Sequence, residues 1–276
     1  MAESTPRAEQ ADFDLALLSD PGTNRPDNED ACGHFIEGPG SALFVVADGI
    51  GGYEGGEVAS RMAVDITLEA YRESAAAWGA AKRLQRAVQR ANIEIYNRAS
   101  VVPALRLMGT TLTAAAIEDG RLNAAHVGDC RLYLARRSRI LQITKDHTVV
   151  GERVRMGLLS AAHARDHPER SMLSRSLGRE LIVSVDRISM PLVQGDRVLL
   201  CSDGLYGVLD ERELEHLLQH DEASGACKAL IEAANARGTA DNLTAAVFIM
   251  RAATGHSESS GAGLRGRLRK WFLWQR

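Results

Sequence analysis

A chain of 276 residues, 45% hydrophobic and 25% charged, has enough apolar material to bury a core the size of one large domain or two small ones, which excludes wholesale disorder. Its 33 basic and 36 acidic residues leave a net charge of −3, so no global field draws it to nucleic acid, and any anion must be met by local basic groups. The four cysteines, Cys32, Cys130, Cys201 and Cys227, have neither CxxC spacing nor a disulfide framework and read as free thiols of the core, as in a reducing cytoplasm.

Residues 1–11 are polar and acidic and read as a flexible tail, with no basic-then-apolar leader pattern. No apolar run approaches the ~20 residues of a membrane span. From 12 to 251 there is no linker and no repeat, so this stretch reads as one continuous domain. Short aliphatic and β-branched runs predict strands at 43–47, 112–117, 122–127, 131–135, 197–201 and 243–249. Glu118-Asp119-Gly120 reads as a hairpin turn and Gly128-Asp129 as another turn. Val58, Met62, Ile66 and Ala70 at four-residue spacing predict a helix over 57–73, and Leu84, Val88, Ala91 and Ile95 a second over 80–98. Two more are expected at 210–219 and 223–236. Strands in runs and helices in pairs predict an α+β fold with two packed antiparallel sheets and helices outside. Residues 252–263 are a Ser/Gly-rich linker. The segment 264–276 mixes Arg265, Arg267, Arg269, Lys270 and Arg276 with Trp271, Phe272 and Trp274. It reads as a frayed end, as an amphipathic element for an anionic membrane surface or a partner protein, or, least of the three, as a nucleic-acid contact.

The aspartates carry the most information. Asp48 follows the apolar run LFVVA and precedes Gly49; Asp203 follows RVLLCS and precedes Gly204. Asp129 ends LNAAHVG, and Asp241 stands before Asn242 and LTAAVF. One Asp-Gly at a strand end is usually only a turn. Four carboxylates at the edges of buried strands are expensive unless something positive meets them, and convergent ones repel until a proton or cation intervenes. Hard oxygen donors favour Mg²⁺ or Mn²⁺ over zinc. A glycine after Asp48 and after Asp203 lets backbone approach closely. Upstream, the stretch from Ser19 to Asp30, SDPGTNRPDNED, sets Arg25 just before the acid pair Glu29-Asp30. On a loop, Arg25 would clamp a phosphate bidentately.

These blocks, with GTTL at 109–112, VGDCR at 127–131, DH at 146–147, LSRSLG at 173–178, CSDGL at 201–205 and DNLT at 241–244, resemble in order the protein phosphatase 2C family of metal-dependent serine/threonine phosphatases, most closely its bacterial, minimal-domain members. The resemblance implies a β-sandwich of two antiparallel sheets flanked by pairs of antiparallel helices, with 12–251 as the catalytic domain. It implies that Asp48 bridges two metals with help from the Gly49 carbonyl, that Asp203 and Asp241 hold the first, and that Glu29 and Asp30 sit near the second. Asp129, with Asp203, would help hold a third and weaker one. The ions would be two or three Mn²⁺ or Mg²⁺, with Arg25 on the substrate phosphate. Residues 151–175 look like the family's flap, a variable segment beside the site. The implied reaction is hydrolysis of phosphoserine and phosphothreonine by a hydroxide held between the metals. The implied partners are phosphoproteins, among them a bacterial Ser/Thr kinase and its substrates, with the protein a cytoplasmic monomer or peripheral at the inner membrane face. A catalytically silent phosphoprotein-binding module on the same fold is the alternative, and lost ligand aspartates, its signature, are absent. A small molecule, or a phosphorylated anti-sigma-factor antagonist, is a rival substrate.

Neither Ile50 nor Tyr53 is the histidine that relatives carry near these positions, which leaves the proton donor unassigned, and Cys130 stands where serine is common. Other motifs fail on their spacing. Counting from Gly49, the third glycine of a dinucleotide loop falls on Glu54, and no Gly-Lys-Ser/Thr follows. Cys130 and Arg136 have the Cys-x5-Arg spacing of a cysteine phosphatase, but RLYLA between them is strand-like. The pairs His163/His167 and His216/His220 lack the glutamate of an HExxH zinc site.

Overall fold

The computed structural model describes residues 12–50, 55–75, 77–165 and 167–251. The tail 1–11, Tyr53, and the segments expected at 252–263 and 264–276 lie outside them. In chain order the strands are β1 (Phe13–Asp20), β2 (Asp30–Gly38), β3 (Ser41–Ile50), β4 (Gly109–Thr110), β5 (Leu112–Glu118), β6 (Arg121–Val127), β7 (Arg131–Ala135), β8 (Ile140–Gln142), β9 (Asp186–Pro191), β10 (Arg197–Cys201) and β11 (Leu243–Met250). The helices are α1 (Gly55–Glu73), α2 (Ala80–Val101), α3 (Val149–Arg155), α4 (Ala161–Arg165), α5 (Asp203–Tyr206), α6 (Glu211–Leu217) and α7 (Ala223–Ala236).

One antiparallel sheet runs β1-β11-β10-β7-β8, and the other β2-β3-β5-β6-β9 with β4 paired to β3. The two pack face to face. On β3, Ala42, Phe44 and Val46 point between the sheets, while Leu43, Val45 and Ala47 point at α1 and α2. On β11, Phe248 and Ala246 face inward, while Leu243, Ala245 and Val247 meet α7. Strands covered on both faces bury every residue, which is why β3, β10 and β11 are unbroken apolar runs in the sequence. Phe44 and Phe248 stack across the middle, ring centroids 5.9 Å apart. The result is four layers, helices–sheet–sheet–helices, as expected.

Helices α1 and α2 begin and end within a few residues of the expected bounds. Asp210, expected inside the next helix, instead caps it: its carboxylate accepts from the Arg212 and Glu213 amides while Glu213 reaches back to the Asp210 amide. Strands β1, β2, β8 and β9, and the two-residue β4, escaped the pattern reading. β9 alternates half-buried and exposed residues along an edge, so its apolar signal is thin. β2 is interrupted by Gly33, where a Cβ would lie 2.8 Å from the side chains of Val64 and Leu68: α1 rests directly on the strand there.

Three strand ends and one turn meet at the same end of the sandwich. β3 finishes at Asp48–Ile50, the β6–β7 turn holds Asp129, β10 runs out into Asp203 at the start of α5, and Asp241 stands just before β11.

Candidate active site

A cavity of about 870 Å³ opens across this end. Asp48, Gly49, Asp129, Asp203 and Asp241 line it, with Arg25 and Glu29 at one side. Thus seven of the eight residues singled out in the sequence share one cavity. The eighth, Asp30, sits one layer behind. It faces Asp48 in the β2–β3 register and accepts a 2.6 Å hydrogen bond from the Ser202 hydroxyl. It also lines a separate cavity of about 450 Å³ under the 21–30 loop.

Backbone contact at the glycines builds the floor. A Cβ on Gly49 would lie 2.2 Å from the Gly56 carbonyl oxygen, and one on Gly204 would lie 2.1 Å from that of Asn242. Only glycine lets α1 and β11 approach the two Asp-bearing turns this closely. The Asp48 backbone is fixed further by the two threonines of the GTTL block. Its N–H donates to the Thr111 hydroxyl at 3.0 Å, and its carbonyl accepts from the Thr110 hydroxyl at 2.8 Å. Asn242 anchors the opposite loop. Its side-chain oxygen accepts from the Glu29 amide (2.9 Å), and its NH₂ donates to the Pro21 (3.0 Å) and Asp27 (2.9 Å) carbonyls.

The DH block braces the Asp129 turn from outside. His147 accepts the Gly128 N–H on Nδ1 at 3.1 Å, which leaves its proton on Nε2, facing Asp186 at 3.2 Å. Asp146 binds the Arg131 guanidinium through both oxygens. Arg131 stacks on Tyr206, and the Tyr206 hydroxyl donates to the Asp129 carbonyl. The bracing roles of Thr110, Thr111, Asn242 and His147 were missed at the level of sequence, although each belongs to a quoted block. Spacing alone does not say that a threonine or asparagine points at backbone.

Electrostatically, the cavity is crowded with one sign. Burial, then the neighbouring Asp30 and Asp203 charges, hold the Asp48 carboxyl well above its usual range. Burial, then Asp203, do the same to Asp129. Burial pushes Asp30 up to about 7 against the lowering pull of Ser202, and Asp203 rises to about 6 through burial and then Asp241. Glu29 is raised chiefly by burial. Asp48 and Asp203 nonetheless keep some surface toward the cavity, so a cation entering it reaches them. The donors are all hard oxygens, with no thiol or imidazole among the described lining residues, and that chemistry fits Mg²⁺ or Mn²⁺. Among the described residues no three acidic, imidazole or thiol groups close into a tight cage. Arg25 draws Asp241 to itself at 2.9 Å.

Arg25 is therefore placed at the cavity, as expected, but on a carboxylate and on the Ala240 carbonyl (3.2 Å). Ile50 lines the cavity, and no histidine does among the described residues. The remaining wall comes from residues 171–175 of the expected flap and from Ser176, Arg179, Glu180, Val183 and Ser184 beyond it. Cys130 and Arg136 do not meet: the thiol is buried against Thr111, and the guanidinium pairs with Asp196.

A helix-flanked double sheet with an acidic cavity across one end and an arginine at its rim is the class of molecule this geometry defines. The chain matches the model of the family described as Protein phosphatase 2C over residues 23–248, and it belongs to that family. It is 38% identical over 230 residues to the serine/threonine phosphatase stp of Listeria innocua, covering 82% of this chain and 91% of that one. The crystal structure of the Mycobacterium tuberculosis serine/threonine phosphatase PstP/Ppp superposes with a TM-score of 0.78 at 36% identity, over 87% of this chain and 99% of that chain. The catalytic domain of PstP in complex with two manganese ions superposes at 0.76 and 34% identity, over 87% and 98%.

Proposed function

We propose that the end cavity hydrolyses phosphomonoesters of serine and threonine on proteins, with Mn²⁺ or Mg²⁺ held by its carboxylates. The observation that carries this reading is the convergence of Asp48, Asp129, Asp203 and Asp241, from four separate segments, on one cavity, where burial and then the neighbouring carboxylates hold Asp48, Asp129 and Asp203 above their normal range. Such crowding is relieved by protons or by cations, and hard divalent cations fit an all-oxygen site open to solvent.

In this reading Asp48, the Gly49 carbonyl, Asp203 and Asp241 hold the ions, Asp129 with Asp203 adds a weaker site, and Glu29 and Asp30 support from the side. When bound, the ions lower the pKa of the attacking water and offset charge on the phosphate. The chain's own part is positioning. Thr110 and Thr111 lock the Asp48 backbone, and Asn242 locks the 21–29 loop that carries Arg25. Arg25, half-exposed and paired with a half-exposed carboxylate, exchanges Asp241 for the phosphate as substrate arrives, and that frees Asp241 to act as a ligand. The phosphoproteins served include a Ser/Thr kinase and its substrates. Among the described residues no helix is long and apolar enough to cross a membrane. Contact with a membrane face would fall to 264–276, which lie outside the described residues.

The test is phosphate release from a phosphothreonine peptide and from p-nitrophenyl phosphate, with Mn²⁺ and after chelation. Wild type is expected to turn over both only with the metal, and Asp48→Asn neither. Turnover that survives chelation refutes the reading.

A further inference from the structure

Beyond the flap, residues 177–183 form an unusually well-held loop that keeps Arg179, Glu180 and Val183 in the cavity wall and turns Leu181 and Ile182 outward. Asn92, 1% exposed in the middle of α2, commits its whole side chain to this loop. Its oxygen accepts from the Gly178 amide at 2.9 Å, and its NH₂ donates to the Glu180 (3.0 Å) and Leu181 (3.1 Å) carbonyls. Gly178 has φ +84°, and a Cβ there would lie 2.4 Å from Ile95 Cγ2, so the loop is seated tightly on α2. The loop sorts its apolar residues: Leu177 (0%) and Val183 (7%) are buried, whereas Leu181 (51%) and Ile182 (81%) are presented to water. Arg179 lies over Gly109 of β4, whose β3 partner Ile50 lines the cavity. Among the described residues Arg179 forms no ion pair, unlike Arg175, which is held by Asp186.

Three hydrogen bonds from one buried amide are far more than two exposed aliphatic side chains need if they only face solvent. A rigid loop that displays apolar groups avoids the ordering cost when something docks on them. The occupant is indicated by continuity and by charge. Glu180 and Val183 of the same loop line the catalytic cavity, so whatever chain carries its phosphate into the cavity passes the loop. A phosphorylated segment is anionic, and Arg179 offers it an unpaired cation.

We propose that residues 178–183, clamped by Asn92, are the polypeptide-reading edge of the site: Leu181 and Ile182 receive an aliphatic side chain of the phosphoprotein beside its phosphorylated residue, with Arg179 holding that segment's negative charge. This rests on the phosphatase reading above. It makes residues outside the flap a determinant of which phosphoproteins are served.

The experiment walks a single leucine, one position at a time, along a serine- and glycine-based phosphothreonine peptide and compares kcat/KM for the full chain with Mn²⁺. For wild type, one or two leucine positions are expected to raise kcat/KM about tenfold over the leucine-free peptide. Ile182→Asp, a change at an exposed position, is expected to abolish that gain while p-nitrophenyl phosphate is hydrolysed at the wild-type rate. Ile182→Leu is expected to keep the gain. If no leucine position helps wild type, or if Ile182→Asp retains the preference, the inference is overturned. If wild type fails even on p-nitrophenyl phosphate, it is the phosphatase reading that falls.

Discussion

Arg25 and Asp241 form an ion pair at the cavity rim, and the proposed reading gives that pair two states. The pair is half-exposed on both sides, so its own contribution to stability is small. In the proposed reading its role lies in exchange, since a half-exposed pair yields readily to a competing phosphate or cation. Arg25→Ala is expected to lower kcat/KM on p-nitrophenyl phosphate about a hundredfold by removing a donor to the phosphate. Mn²⁺ affinity, measured by calorimetry, should stay equal or rise, because Asp241 loses its competitor. Weaker Mn²⁺ binding would place Arg25 in a structural role instead. Thr111 is the opposite case. It is 1% exposed, and its hydroxyl is the partner of the Asp48 amide. Thr111→Val leaves that N–H unpaired, at about 1–3 kcal/mol. A lower melting temperature is expected for the valine variant, with Thr111→Ser restoring most of it.

At the scale of elements, the site depends on loops tied to strands. The 21–29 loop is held at three points by Asn242, a buried residue. Asn242→Ala is expected to raise hydrogen exchange at the Glu29 amide and to lower turnover more than it lowers the melting temperature; equal losses would mean the loop matters only for folding. The sequence made the strand ends legible. A carboxylate followed by glycine at the edge of a buried apolar run is a costly placement, and Asp48 and Asp203 sit where that cost implied. It also made α1, α2 and α7 legible, because one face of each repeats apolar residues at helical spacing. It did not disclose β2 and β9, whose residues are partly exposed and whose pattern is broken by Gly33 or thinned at an edge. Nor did it show that Asp30 stands opposite Asp48 with its carboxylate on the Ser202 hydroxyl, a contact between residues 172 apart that no local pattern encodes. The Asn92 clamp joins residues 86 or more apart, and no local pattern encodes it.

At the scale of the whole molecule, the fold concentrates negative charge at one end and keeps it there with two sheets that cannot yield. The consequence is a definite pH dependence. Burial holds Asp30 up to about 7 and, with the Asp241 charge, Asp203 up to about 6, against about 3.9 for a free aspartate, and Asp48 and Asp129 are also raised. Between about pH 4 and pH 7 the folded chain therefore holds more protons than the unfolded one, and metal-free stability falls as pH rises through that window. Thermal melts in chelator should drop from acid to neutral pH, and saturating Mn²⁺ should raise the midpoint more at neutral pH than at acid pH. A metal-free midpoint that climbs across this window would contradict the charge crowding.

The most direct measurement is a calorimetric titration of Mn²⁺ into wild type and Asp48→Asn at about pH 6, in two buffers of different ionisation enthalpy. If cations replace protons on crowded carboxylates, wild type binds at least two ions and releases protons as it does so, while Asp48→Asn loses a site and part of that release. Identical binding by the two proteins, or binding without proton release, would contradict the account.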